Sequence, residues 1–191
     1  MITLALICFT SAGASCAERL KARLDERYQL EGFVSSKFVG ETNLQQYHGT
    51  LAQWTEEWFP KADCLIFVGA CGIAVRSIAP YVKDKAKDPA VVVVDEKGNF
   101  AIPILSGHIG GANDLAEKIA ALTSGVAVIT TATDINKKFS VDTFAVRNNL
   151  HIGDTKLIKE ISSRILNDKK VGLYTDYELK NVPDCFEESN E

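Results

Sequence analysis

The 191-residue chain has five cysteines but no C-x-x-C pair. Cys8, Cys16, Cys64, Cys71 and Cys185 are odd in number and scattered, which argues for reduced thiols in a cytoplasmic protein. A basic excess is also missing. The formal net charge of -4 gives no support for a nucleic-acid partner. No apolar run approaches the length needed to span a bilayer, so no membrane partner is expected. Residues 2–9 are apolar but lack a positively charged start, so they read as a first buried strand and not as a secretory leader. His48, His108 and His151 show no metal-ligand spacing with one another or with the cysteines. The chain contains no G-x-G-x-x-G and no G-x-x-x-x-G-K-[ST], which ranks a nucleotide-binding domain last. Ser106 stands in no G-x-S-x-G elbow and has no base at fixed spacing, which argues against a serine-hydrolase mechanism.

What is present is ordinary for a soluble globular protein: 46% hydrophobic and 24% charged residues. The length suits one large domain or one and a half. Strand-like runs at residues 2–9, 33–39, 63–68, 127–131 and 171–174 alternate with helical patterns. Ser15 and Glu18 read as a capping box, and Thr50 with Gln53 as another, opening a helix through Trp54 and Trp58. Asp95-Glu96-Lys97-Gly98 separates apolar residues 90–94 from 99–105 and reads as a hairpin turn. Helices are expected near 141–147 and 155–166. The expected fold class is α/β, a mostly parallel sheet with helices on both faces and at least one antiparallel hairpin. The expected organisation is a domain over 1–138, an extension over 139–180, and an acidic, unstructured, linker-like tail over 181–191.

One stretch carries most of the chemistry. Ser106-Gly107-His108-Ile109-Gly110-Gly111-Ala112-Asn113 joins an apolar strand to a strongly helical run. A strand feeding a helix through three glycines leaves backbone N–H groups and the positive helix end for an anionic or carbonyl oxygen. His108 adds a group able to move a proton near neutral pH. The competing reading is that the glycines only permit tight strand–helix packing. Ligands of open α/β sheets bind beyond the carboxyl ends of the strands. Small polar residues follow several expected strands, at 10–15, 69–72, 106–111 and 130–134. A binding crevice on that edge is therefore the leading structural expectation.

Four ordered motifs resemble a known family. They are Gly72-Ile73-Ala74-Val75-Arg76-x-Ile78-Ala79-Pro80, Lys87-Asp88-Pro89 with the run to Glu96, Ile102-Pro103-Ile104-Leu105 with the glycine turn to Asn113, and Val128-Ile129-Thr130-Thr131-Ala132-Thr133-Asp134. Together they closely resemble the amino-terminal part of the cobalt-precorrin-5A hydrolases of anaerobic cobalamin biosynthesis. The resemblance runs from about Gly69 to Asp134, with a looser continuation to Tyr174. It implies opening of the δ-lactone of cobalt-precorrin-5A and release of acetaldehyde to give cobalt-precorrin-5B. It also implies no cofactor of the protein's own, since the cobalt arrives inside the substrate. Members of the family normally carry a further carboxyl-terminal domain, absent before Glu191. A corrinoid-binding half that needs that domain for chemistry is the alternative. A homodimer is compatible with the sequence.

On this reading His108 is the leading general acid or base and Asp134 the second candidate. The Gly110 and Gly111 N–H groups are candidate donors to the carbonyl oxygen as it becomes negative. Arg76, Ser106, Gly107, Asn113, Thr130, Thr131 and Thr133 complete the expected substrate-contacting set, with Arg76 the strongest cation because a guanidinium grips a carboxylate through two bonds. Lys83, Lys85 and Lys87 read as a solvated loop in preference to a corrinoid clamp.

Overall fold

In this computed structural model residues 1–38, 40–84, 87–148, 150–178 and 180–189 are described. They form two compact units, Met1–Ile129 and Thr130–Glu191. The first runs β1 (Ile2–Cys8), α1 (Ser11–Arg23), β2 (Tyr28–Val34), β3 (Gln45–Gln46), α2 (Leu51–Trp58), β4 (Cys64–Val68), α3 (Cys71–Ile78), β5 (Ala90–Val94), β6 (Phe100–Leu105), α4 (Ala112–Thr123) and β7 (Val126–Ala127). Its seven strands lie in the order β3-β2-β1-β4-β5-β6-β7. The first five in chain order are parallel, β6 runs antiparallel to β5, and β7 follows the direction of β6.

The central strands are apolar on both faces because both faces are covered. Leu4, Leu6, Ile66, Val68 and Val92 pack with Ala17 and Leu20 of α1 and Ile119 of α4. Ala5, Ile7, Leu65, Phe67, Val91 and Val93 pack on the other side with Trp54 of α2 and Ile78 of α3. Each fully buried large apolar side chain contributes roughly 1.5–3 kcal/mol. The predicted α/β class with an antiparallel hairpin is therefore the observed one.

Some local expectations fail for identifiable reasons. Ser15 and Glu18 form no capping box. Helix α1 starts earlier, where the Thr10 hydroxyl accepts the Gly13 N–H at 3.0 Å, and Glu18 instead accepts from Thr42 and the Asn43 N–H. The strand expected at 33–39 is β2, displaced toward the amino terminus so that all seven of its residues pair with β1; Val39 lies outside the described residues. The strand expected at 127–131 shrinks to Val126–Ala127. By contrast the Thr50 and Gln53 box is complete, each side chain meeting the other residue's backbone N–H.

The second unit holds α5 (Ala132–Ile135), α6 (Val141–Arg147), α7 (Thr155–Leu166), β8 (Val171–Leu173) and β9 (Phe186–Glu188). Ser140 caps α6 and Asp154 caps α7. Its buried apolar residues include Ala145, Ile158 and Ile165. The tail expected to be unstructured contains β9, which pairs parallel with β8 and sets Phe186 edge-on against Phe139 at 4.9 Å. The unit boundary at Ile129 precedes the expected one at 138.

Candidate functional site

The hairpin decides where the glycine turn sits. Because β6 reverses, Leu105 pairs beside Val91 near the start of β5, and Ala101 beside Val94 near its end. Residues 106–111 therefore leave the sheet at the amino edge of its parallel strands. The turns after β1 and β4, at residues 10–13 and 69–71, leave at the opposite edge. The single carboxyl-edge crevice expected from the sequence does not exist as one rim. Ser106, Gly107, His108, Gly110, Gly111 and Asn113 come together in one turn, but away from residues 10–15 and 69–72.

Within that turn most glycines have packing reasons. A Cβ on Gly110 would lie 2.5 Å from the Ser106 Cβ, 2.8 Å from the Ser106 carbonyl oxygen and 3.3 Å from the Ala90 nitrogen. Gly111 caps α4 with a φ of 79°, a left-handed conformation that side chains disfavour. A Cβ on Gly107 would meet the Asn113 side-chain amide at 2.8 Å, and Asn113 is buried there. Ser106 has a φ of 55°, and its hydroxyl donates to the Asp88 carbonyl at 3.0 Å.

Three backbone donors at the start of α4 are already committed. The Gly111 N–H bonds the His108 carbonyl at 3.0 Å, the Ala112 N–H the Ser106 carbonyl at 3.2 Å, and the Asn113 N–H the Gly107 carbonyl at 3.0 Å. Gly111 is thus unsuited to the oxyanion role expected of it, since its donor is used inside the turn. Gly110 is exposed, and its N–H meets no acceptor among the described residues. His108 is half-buried.

Gly110 and Ile109 line a cavity of about 560 Å³. Asp63 and Pro89, the residues just before β4 and β5, line it too, as do Tyr81, Asp88, Lys61, Lys83 and Lys87. Arg76, expected to be the main cation, is exposed in the last turn of α3 and lines a different cleft of about 260 Å³ with Leu51, Ile73 and Ser77. Lys83 and Lys87, expected in a solvated loop, are exposed and line the cavity; Lys85 lies outside the described residues.

The remaining expected residues belong to the second unit. Thr131 caps α5 through its backbone, without a side-chain cap bond, and Thr133 is buried. Thr130 and Asp134 are exposed. Asp134 lies inside the first turn of α5 and not at its cap. Among the described residues no group of three or more His, Cys, Asp or Glu could hold a metal ion, and no helix is long and apolar enough to cross a membrane.

Comparison with known proteins gives consistent matches. Residues 53–134 match the family described as cobalamin synthesis G N-terminal, and residues 139–188 match the cobalamin biosynthesis central region. A cobalt-precorrin-5A hydrolase of Salmonella typhimurium is 41% identical over 93% of this chain and 49% of its own length. One of Priestia megaterium is 35% identical over 88% of this chain and 46% of its own. The chain thus spans about half the length of these relatives. A solved structure described as a cobalamin biosynthesis protein G homolog from Sulfolobus solfataricus aligns with 97% of this chain and 52% of its own. Its TM-score is 0.56 at 24% identity, a likeness of fold.

Proposed function

Because the chain belongs to the cobalamin synthesis G family, of which it carries the N-terminal and central regions, we propose that it takes part in the hydrolysis of cobalt-precorrin-5A to cobalt-precorrin-5B and acetaldehyde. The observation that carries this reading is the 41% identity to a named cobalt-precorrin-5A hydrolase over 93% of the chain.

In this proposal the lactone carbonyl faces the amino-edge cavity. Water adds to the acyl carbon and the ring C–O bond breaks, leaving a carboxylate and a hydroxyl. Removal of the hydroxyl proton then lets the C–C bond break, acetaldehyde departs, and the electron pair enters the cobalt-bearing macrocycle. His108 moves the proton and the Gly110 N–H donates to the developing oxyanion. The cobalt comes with the substrate, and the protein needs no cofactor of its own.

Incubation with cobalt-precorrin-5A tests the proposal by mass spectrometry. Uptake of water with loss of acetaldehyde is expected, together with its loss in His108→Asn. An unchanged substrate mass with both this chain and a form as long as the relatives would overturn it. A second reading is favoured by the half-length coverage: this portion binds the corrinoid and the chemistry needs the rest of the relatives' length. Substrate binding without turnover, repaired in the longer form, would select that reading.

A further inference from the structure

We propose that Lys83 and Lys87 are the carboxylate-binding residues of the amino-edge cavity, holding the peripheral arms of a polycarboxylate macrocycle. The inference rests on the reading that this cavity takes the corrinoid substrate.

Five charged side chains line the cavity, and three of them are already engaged. Asp63 accepts the Thr3 N–H at 2.7 Å. One Asp88 oxygen accepts the Lys83 N–H at 2.8 Å and the Asp84 N–H at 2.9 Å. Lys61 pairs with Glu57 at 3.1 Å. Lys83 and Lys87 make no ion pair among the described residues. Among the described residues, Lys83 and Lys87 are thus lining cations with no carboxylate partner of their own, although the chain as a whole is acidic.

The lysines are also positioned relative to the chemistry. Asp88 fixes the segment that carries them through the two N–H bonds above, and its own N–H and that of Lys87 bond the Asp84 carbonyl. The Asp88 carbonyl in turn accepts the Ser106 hydroxyl at 3.0 Å, which ties this segment to the glycine turn. A cavity of about 560 Å³ falls within the roughly 300–1,000 Å³ of small-ligand sites. A corrinoid with all its arms is larger, so the cavity takes one rim of the ring, arms inward, with Gly110 beside it. Both ammonium groups are exposed, so their attraction is screened by salt.

The test is a titration of uroporphyrin, an octacarboxylate tetrapyrrole, followed by visible absorbance, with its octamethyl ester as the uncharged probe. The double variant Lys83→Gln, Lys87→Gln is compared with Lys97→Gln, an exposed lysine on the hairpin at the other edge. The double variant is expected to bind uroporphyrin about tenfold or more weakly, the Lys97 variant like the parent, and added salt to reduce the difference. With cobalt-precorrin-5A the double variant raises KM and leaves kcat near the parent value. Parent-like uroporphyrin affinity and parent-like KM in the double variant would overturn the lysine role while leaving the hydrolase reading intact. Weakened uroporphyrin binding with no turnover by any form would uphold the lysines and remove the hydrolase reading.

Discussion

At the carboxyl edge of the parallel strands, Thr10, Gly13 and Gly69 close the space between β1 and β4; at the amino edge, Asp63, Asp88 and Gly110 frame an open one. The carboxyl edge is where the winding of this sheet reverses, between β1 and β4, and such points commonly hold ligands. Here a Cβ on Gly13 would meet Thr10 Oγ1 at 3.1 Å, and one on Gly69 would meet the Phe9 ring at 3.1 Å. Thr10 also donates to Glu96 across this edge at 2.8 Å. Glycine there serves close packing. At the amino edge, glycine serves packing, and Gly110 also lines a lysine-bearing cavity. Similar residues do different work because a single hairpin sends β6 the other way.

Substitutions that separate the two edges should differ in sign as well as size. Gly110→Ala forces a Cβ onto the Ser106 backbone, so it should cost about 2–3 kcal/mol in denaturant unfolding. Gly72→Ala at the start of α3 meets only the flexible Arg76 guanidinium at 3.5 Å and should stabilise by about 0.4–1 kcal/mol. Equal effects would mean that the amino-edge turn is not held as described. Asp88→Ala removes the acceptor that fixes the lysine segment. It should cost about 1–2 kcal/mol and raise KM, whereas a KM unchanged within error would detach that segment from the site. Thr10→Ala at the carboxyl edge should cost about 1 kcal/mol through the lost cap of α1 and leave KM alone. The smallest effect concerns the thiols. Burial raises the Cys8 thiol to about 12 and also raises Cys64, so neither should be alkylated at pH 8 in the folded protein, as peptide mapping can show.

Much of the fold was legible where a residue pattern had one physical solution. The buried runs of β1, β4 and β5, the Thr50 and Gln53 box, and helices α6 and α7 all stand where the sequence puts them. The Ser15 and Glu18 pattern misled because Thr10 offered an earlier cap and Glu18 found loop donors. The short β3 and β9 carry too few residues for periodicity to reveal them. For the site, the glycine turn was visible but its edge was not. The hairpin signal at Asp95 to Gly98 implies a reversed strand, and the carboxyl-end rule holds for parallel strands, so it does not extend to the turn after β6. Guanidinium chemistry singles out Arg76 in the sequence but says nothing about which cleft it lines. The lysines that line the cavity looked like any solvated run until Asp88 and Ser106 drew them to the turn.

Hydrogen exchange with and without cobalt-precorrin-5A tests the location of the site most directly. Protection is predicted in residues 83–84, 87–88 and 106–113, with residues 10–13 and 69–71 unchanged. Protection confined to residues 10–13 and 69–71 would contradict the amino-edge site.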